Sequence, residues 1–132
     1  MLSLSEILRE EMIDFLKNNL YRTHIPSRTK CFGFFDGEDL IGVAGLYKTA
    51  WHTTEIRGVC IREGKRGNGY GTKLIAELLK LVDTPLVAAT VVKENIASLK
   101  AFQTNGFQLV TVFLSFSTKH EVVFLIKNLT GG

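Results

Sequence analysis

The segment Arg66-Gly67-Asn68-Gly69-Tyr70-Gly71 decides how the rest of the chain is read. It stands between an extended apolar stretch, Thr53 to Ile61, and a stretch in which Leu74, Ile75, Leu78, Leu79 and Val82 recur at helical spacing. Glycines at such a strand-to-helix junction let the backbone turn tightly and bring its N–H groups close to a ligand. Those donors, together with the positive end of the helix dipole, make an anion site. Two nucleotide-binding patterns fail on spacing. Gly64 is followed by Gly69 and then by Tyr70, where a P-loop needs Lys. Gly67, Gly69 and Gly71 are spaced G-x-G-x-G, and the preceding segment is not a first strand, as a dinucleotide fold requires. The plainer alternative is a sharp turn that holds nothing.

Working outward, Gly58 interrupts the Thr53–Ile61 strand, and an internal glycine there marks a bulge or a close backbone approach. Upstream, Cys31 to Phe35 and Leu40 to Tyr47 read as strands joined by the turn Asp36-Gly37-Glu38-Asp39. Ser3-Leu4-Ser5-Glu6 has capping-box spacing, and Ile7, Leu8, Ile13, Leu16 and Leu20 form an apolar stripe behind it. The chain is therefore expected to begin with a helix that fades before Pro26. Downstream, Asp83-Thr84-Pro85 stops the helix after the loop, and Leu86 to Val92 is a continuous apolar run that suits a buried strand. Asn95 can cap a further helix ended by Asn105-Gly106, and Phe107 to Phe116 and Val122 to Ile126 make a final hairpin. This order predicts a single α/β domain over 1–132, with a mixed sheet flanked by helices.

Bulk properties set bounds on function. A chain of 132 residues, 45% hydrophobic and 22% charged, makes one globular domain. No apolar run is long enough to span a membrane, and Met1 to Glu6 lacks the basic region of a secretory signal. Cys31 and Cys60 lack metal-ligand spacing and sit in apolar stretches, which reads as two free buried thiols and points to the cytoplasm. The net charge of +3 favours an anionic ligand but is too small to argue for nucleic acid. Arg57, Arg62, Lys65, Arg66, Lys93 and Lys100 matter only if the fold gathers them around one ligand.

Two motifs then carry a family resemblance. Arg66, Gly69 and Gly71 match Arg/Gln-x-x-Gly-x-Gly/Ala, with Val59 and Ile61 at the apolar positions before it. Asn95, Ser98, Phe102, Gly106 and Phe107 match a second signature after the next strand. In these residues, from about Leu40 to Leu109, the sequence resembles the GNAT superfamily of acetyl-CoA-dependent N-acetyltransferases. The resemblance implies that backbone N–H groups of Arg66, Gly67, Asn68, Gly69, Tyr70, Gly71 and Thr72 hold the CoA pyrophosphate. It implies that Val59 and Ile61 pair with the pantetheine arm in a slot opened by a bulge near Gly58. Asn95 and its helix, with Phe102, would close the far side, and Lys100 is a weaker candidate for a phosphate.

The implied reaction is direct attack of a primary amine on acetyl-CoA in a ternary complex, with the N–H near Val59 or Cys60 supporting the oxyanion. Glu55 lies eleven residues before Arg66, where the histone-acetyltransferase branch carries its general base; His52 is a second candidate. Cys60 as a nucleophile is set against its reading as a buried thiol.

Two departures stand out. Phe102 occupies a position where many members have a Tyr that protonates the departing thiolate, and Tyr47 is one candidate to replace it. The family also opens with a strand and two helices, whereas this chain is expected to lack the first strand. That would leave the acceptor side reduced or completed by a second copy in a homodimer. A non-catalytic acyl-CoA-binding module, or a nucleic-acid-directed protein using Arg22, Arg28, Lys30 and Lys48, are the rival readings.

Overall fold

In the computed structural model of the chain, which describes residues 1–130, Leu2–Ile7 is a strand, β1, and the expected absence of a first strand is corrected. Leu2 and Leu4 are half-buried while Ser3 and Ser5 are exposed, a period of two that fits a pleat. The Ser3-to-Glu6 spacing imitates a helix start, but the actual cap lies further on, where the Leu8 N–H donates to Glu11 Oε1 at 2.9 Å. Helix α1, Arg9–Asn18, follows and buries Met12, Phe15 and Leu16. Leu8 and Leu20, placed on the apolar stripe by sequence, are 64% and 87% exposed. The last two positions of the expected 1–132 domain lie outside the described residues.

The remaining elements are β2 (Lys30–Asp36), β3 (Asp39–Ala50), β4 (Thr53–Ile61), a single turn of 3-10 helix (Glu63–Lys65), α2 (Tyr70–Leu79), β5 (Leu86–Val92), α3 (Ile96–Thr104), β6 (Gln108–Leu114) and β7 (Glu121–Asn128). One sheet runs β1-β2-β3-β4-β5-β7-β6, and among the described residues only β4 and β5 pair in parallel. A parallel pair needs a crossover, which α2 supplies. α1 packs Met12, Phe15 and Leu16 with Cys31, Val43 and Cys60. α2 and α3 pack Leu74, Ile75, Leu78, Ala101 and Phe102 with Phe34, Ile56, Val87 and Leu125. Two apolar clusters thus grip the sheet, and β4 contributes to both.

The sheet is split at its centre. β4 and β5 pair only from Thr53↔Leu86 to Glu55↔Ala88, although both strands run on. Across the other edge of β4, Val43 faces Cys60 and Gly45 faces Arg57, so Gly58 and Val59 stand opposite the single residue Ala44. This is a β-bulge, which bends its strand and raises the local twist. Gly58 takes φ +66, and a Cβ there would lie 2.7 Å from Met12 Cε and 3.1 Å from Ile25 Cδ1. The bulge can form because glycine accepts both the left-handed backbone and the pressure of the α1 layer.

Beyond α1, the second helix that the resemblance implies is replaced by irregular chain from Leu20 to Thr29. α1 closes with the Leu20 N–H on the Lys17 carbonyl and the Tyr21 N–H on the Leu16 carbonyl, which is a Schellman end. Such an end puts its penultimate residue in the left-handed region, normally as Gly. Here Leu20 takes it, at φ +58, and for an L-residue that costs about 1–2 kcal/mol.

Candidate functional site

The split opens into a cleft of about 700 Å³. Val59, Cys60 and Ile61 of β4 line one wall, and Asn95, Ala97, Ser98, Lys100 and Ala101 line the other. The glycine loop and the start of α2 close one end, and Asn19, Leu20 and Tyr21 from the end of α1 reach into it.

The loop is built to present donors. Gly67 and Gly69 take φ +82 and +76, and a Cβ at either would meet no protein atom within 4 Å. These are therefore backbone requirements, with open space in front of them. Asn68 turns its amide inward, donating from Nδ2 to the Lys65 carbonyl at 3.0 Å, and so shapes the loop without lining the cleft. Lys65 and Arg66 donate their N–H groups to Arg62 and Glu63, and the next loop N–H with a partner is that of Lys73, on the Gly69 carbonyl. From Gly67 through Thr72, no backbone N–H finds an acceptor among the described residues. These donors sit at the N-terminus of α2, whose first turn carries no acidic side chain. A run of unsatisfied N–H groups at a positive helix end is a strong anion site.

The fold also sorts the basic residues. Arg57 is paired with Glu55, Arg62 is held by both oxygens of Asp39 at 2.6 and 2.7 Å, and Lys93 pairs with Glu121. Lys65, Arg66 and Lys100 line the cleft. The Arg62 guanidinium holds the Asp39 carboxyl below its ordinary range. Arg66 folds back so that Nε donates to the Ile61 carbonyl at 2.9 Å, which engages one of the backbone groups expected to meet the pantetheine arm.

On the second wall, Asn95 Oδ1 accepts from the Ser98 N–H at 3.2 Å, so its carbonyl caps α3 while the residue itself faces the cleft. Asn105, read from sequence only as a helix end, donates to the carbonyls of Thr72 and Ala101 and ties α3 to the first turn of α2. Gly71 lets the same two helices approach, since its Cβ position is 4.0 Å from Ala101 Cβ.

Other expected residues fall elsewhere. Phe102 is 3% exposed and packs edge-to-face on Phe107, so it belongs to the core and not to the cleft lining. Cys60 lines the cleft, but burial pushes its thiol up against the opposing pull of Arg66. That leaves it a neutral, weak nucleophile. Glu55 sits at the last β4–β5 pair, where the strands part, with Oε1 held by Arg57. Arg57 in turn donates to the His24 carbonyl from Nε and Nη2. His52 lies at the β3–β4 turn against Thr53, away from the cleft, and Tyr47 lies opposite Glu55 on β3. Lys48 of the expected basic rim is paired with Asp83. Asn19, Leu20 and Tyr21 were missed, because their place follows from β1 and the short α1, which the sequence patterning hid.

Comparison with known proteins agrees with this geometry. Residues 2–107 match the Acetyltransferase (GNAT) family. Over 96 residues, 70% of the chain, it is 25% identical to an uncharacterized N-acetyltransferase, YvbK, of Bacillus subtilis strain 168; the chain spans 62% of that relative's length. A GNAT family acetyltransferase from Elizabethkingia anophelis, solved with acetyl-CoA bound, superposes with a TM-score of 0.77 at 14% identity, over 97% of this chain and 98% of the other. A Bacillus subtilis acetyltransferase in complex with CoA gives 0.75 at 21% identity, over 97% of each chain.

Proposed function

Since the chain belongs to the Acetyltransferase (GNAT) family, we propose that it moves an acetyl group from acetyl-CoA to a primary amine by direct attack in a ternary complex. The observation that carries this is the run of unpartnered N–H groups from Gly67 to Thr72, at the end of a cleft between two parted strands. A pyrophosphate satisfies those donors, with Lys65, Arg66 and Lys100 adding charge. The pantetheine arm lies along Val59, Cys60 and Ile61 and faces Asn95 and α3. The bulge breaks the regular β3 register at Gly58 and Val59, and a backbone N–H there is the one we assign to the oxyanion. The two free buried thiols suit a reducing, cytoplasmic setting, and among the described residues no helix is long and apolar enough to cross a membrane.

Glu55 is the general base in this scheme. It lies where the strands part, and Arg57 fixes its rotamer through one oxygen, leaving Oε2 without a hydrogen bond among the described residues. Glu55→Gln is expected to lower kcat/KM for the amine by about 10²-fold, the lower end of the range for such a group, with acetyl-CoA affinity unchanged. Release of CoA thiol over a panel of amines measures both. Full activity in the variant would remove Glu55 from the mechanism. CoA binding with no turnover on any amine would favour the acyl-CoA-binding module, to which Phe102 in place of Tyr points.

A second copy of the chain is the partner we propose. β6 is an edge strand, Gln108–Leu114, exposed throughout and without a charged residue. Leu109, Val110, Val112, Phe113 and Leu114 are each at least 40% exposed. Edge strands are usually guarded by charge, and this one is not. The chain is expected to run as a dimer in light scattering, and Val110→Lys with Val112→Lys to convert it to a monomer. A monomeric wild-type chain at tens of micromolar would exclude the pairing.

A further inference from the structure

Tyr21 owes its position to the strained end of α1. The left-handed Leu20 at φ +58 turns the chain back, so the next residue hydrogen-bonds Leu16 and faces the cleft. A non-glycine residue held in that region is kept there by its surroundings, and such strain collects at functional positions. The surroundings here are specific. Asn19 Oδ1 accepts from the Glu63 N–H at 3.1 Å, tying the helix end to the turn before the glycine loop. Arg57 holds the His24 carbonyl and Arg9 the Ile25 carbonyl. The Tyr21 ring packs on the cluster that includes Leu16, Val43 and Cys60, and it lines the cleft with Val59 and Cys60. Its hydroxyl finds no hydrogen-bond partner among the described residues and is not among their sealed-off polar atoms, and the residue that carries it lines the cleft.

The phenol therefore stands beside the stretch of β4 along which the thioester lies, while Phe102, with no hydroxyl, is shut into the core. We propose that Tyr21 is the catalytic acid that protonates the departing CoA sulfur, an assignment that rests on the acetyl-transfer reading above. The amine nitrogen forms a C–N bond to the thioester carbonyl carbon. The C–S bond breaks with its electron pair on sulfur, and the Tyr21 O–H gives its proton to that sulfur. Glu55, the base of that scheme, takes the proton that the new amide nitrogen sheds and returns it through water to the tyrosinate, so amine and thioester become amide and thiol. Burial and the neighbouring Cys60 raise the phenol, against the pull of Arg57, so it keeps its proton throughout the neutral range. It is present there as a donor.

Tyr21→Phe keeps the ring and removes only the hydroxyl. It is expected to lower kcat by about 10-fold to 10²-fold, the modest end for an acid because a thiolate already leaves well. KM for acetyl-CoA, the dissociation constant of CoA and the melting temperature should stay at wild-type values. With the acetyl thioester of an aromatic thiol as donor, whose thiolate needs no proton, wild type and variant should converge in kcat/KM. Wild-type kcat in the variant would overturn the assignment, as would an equal loss with both donors. An inactive wild-type chain would overturn the acetyl-transfer reading beneath it, which the amine panel detects separately.

Discussion

Gly69→Ala is expected to weaken CoA binding by about 10²-fold, close to 2.7 kcal/mol, while the protein still folds. Gly69 caps α2 from the left-handed region, at φ +76, and no protein atom lies within 4 Å of its Cβ position. Alanine can therefore be seated without a clash, at the cost of about 1–2 kcal/mol of backbone strain. The relief of that strain is a rotation of the loop, and the rotation turns the N–H groups of Gly69, Tyr70 and Gly71 away from a common anion. The open space that spares the fold is also the space a pyrophosphate fills, so the added methyl meets the ligand. Titration calorimetry with CoA gives the affinity, and a parallel thermal melt separates the loss of ligand from any loss of fold. Gly64→Ala, with no positive φ and nothing within 4 Å, is the control and should change neither.

Gly58→Ala is expected to destabilise the protein itself, by about 3 kcal/mol. Two costs combine: about 1–2 kcal/mol for an L-residue at φ +66, and about 1–3 kcal/mol for driving a methyl into a packed layer. The contact at risk is Met12 Cε, 2.7 Å from the new Cβ, with Ile25 Cδ1 at 3.1 Å. Methionine is flexible and absorbs part of the insertion, which is why the sum falls in the middle of the range. Urea unfolding should show a lower midpoint with an unchanged slope. The same change should raise the dissociation constant for acetyl-CoA, because the bulge at Gly58 and Val59 shapes the β4 wall of the cleft, which Val59 lines. A wild-type midpoint would mean that the α1 layer does not press on the bulge.

The parts of the fold that were legible in the sequence are those governed by local chemistry. The strand Thr53–Ile61, the glycine loop, the Asn95 cap and the bulge at Gly58 each follow from a few adjacent residues with distinctive backbone demands. β1 was misread because Ser3 and Glu6 satisfy a helix-start pattern while the strand's partner, Lys30–Asp36, lies far along the chain. Local pattern and tertiary pairing disagreed, and pairing won. The Glu55–Arg57 pair stands on one face of β4, two residues apart, so a reading of the strand's alternation would have found it. The division of the basic residues into paired and cleft-lining sets was not readable, since it depends on distant partners such as Asp39 and Glu121. Tyr21 was hidden for a different reason. Its placement needs a leucine in a conformation that leucine disfavours, and no propensity rule points there.

The central claim is that the Gly67–Thr72 donors and the cleft behind them hold acetyl-CoA. It is tested most directly by calorimetric titration of the wild-type chain with acetyl-CoA, CoA and dephospho-CoA. Saturable binding of all three at one site per chain is expected, weakened strongly by Gly69→Ala and least affected by loss of the 3′-phosphate, because the loop grips the pyrophosphate. No binding of acetyl-CoA or CoA, or binding indifferent to Gly69, would contradict the account.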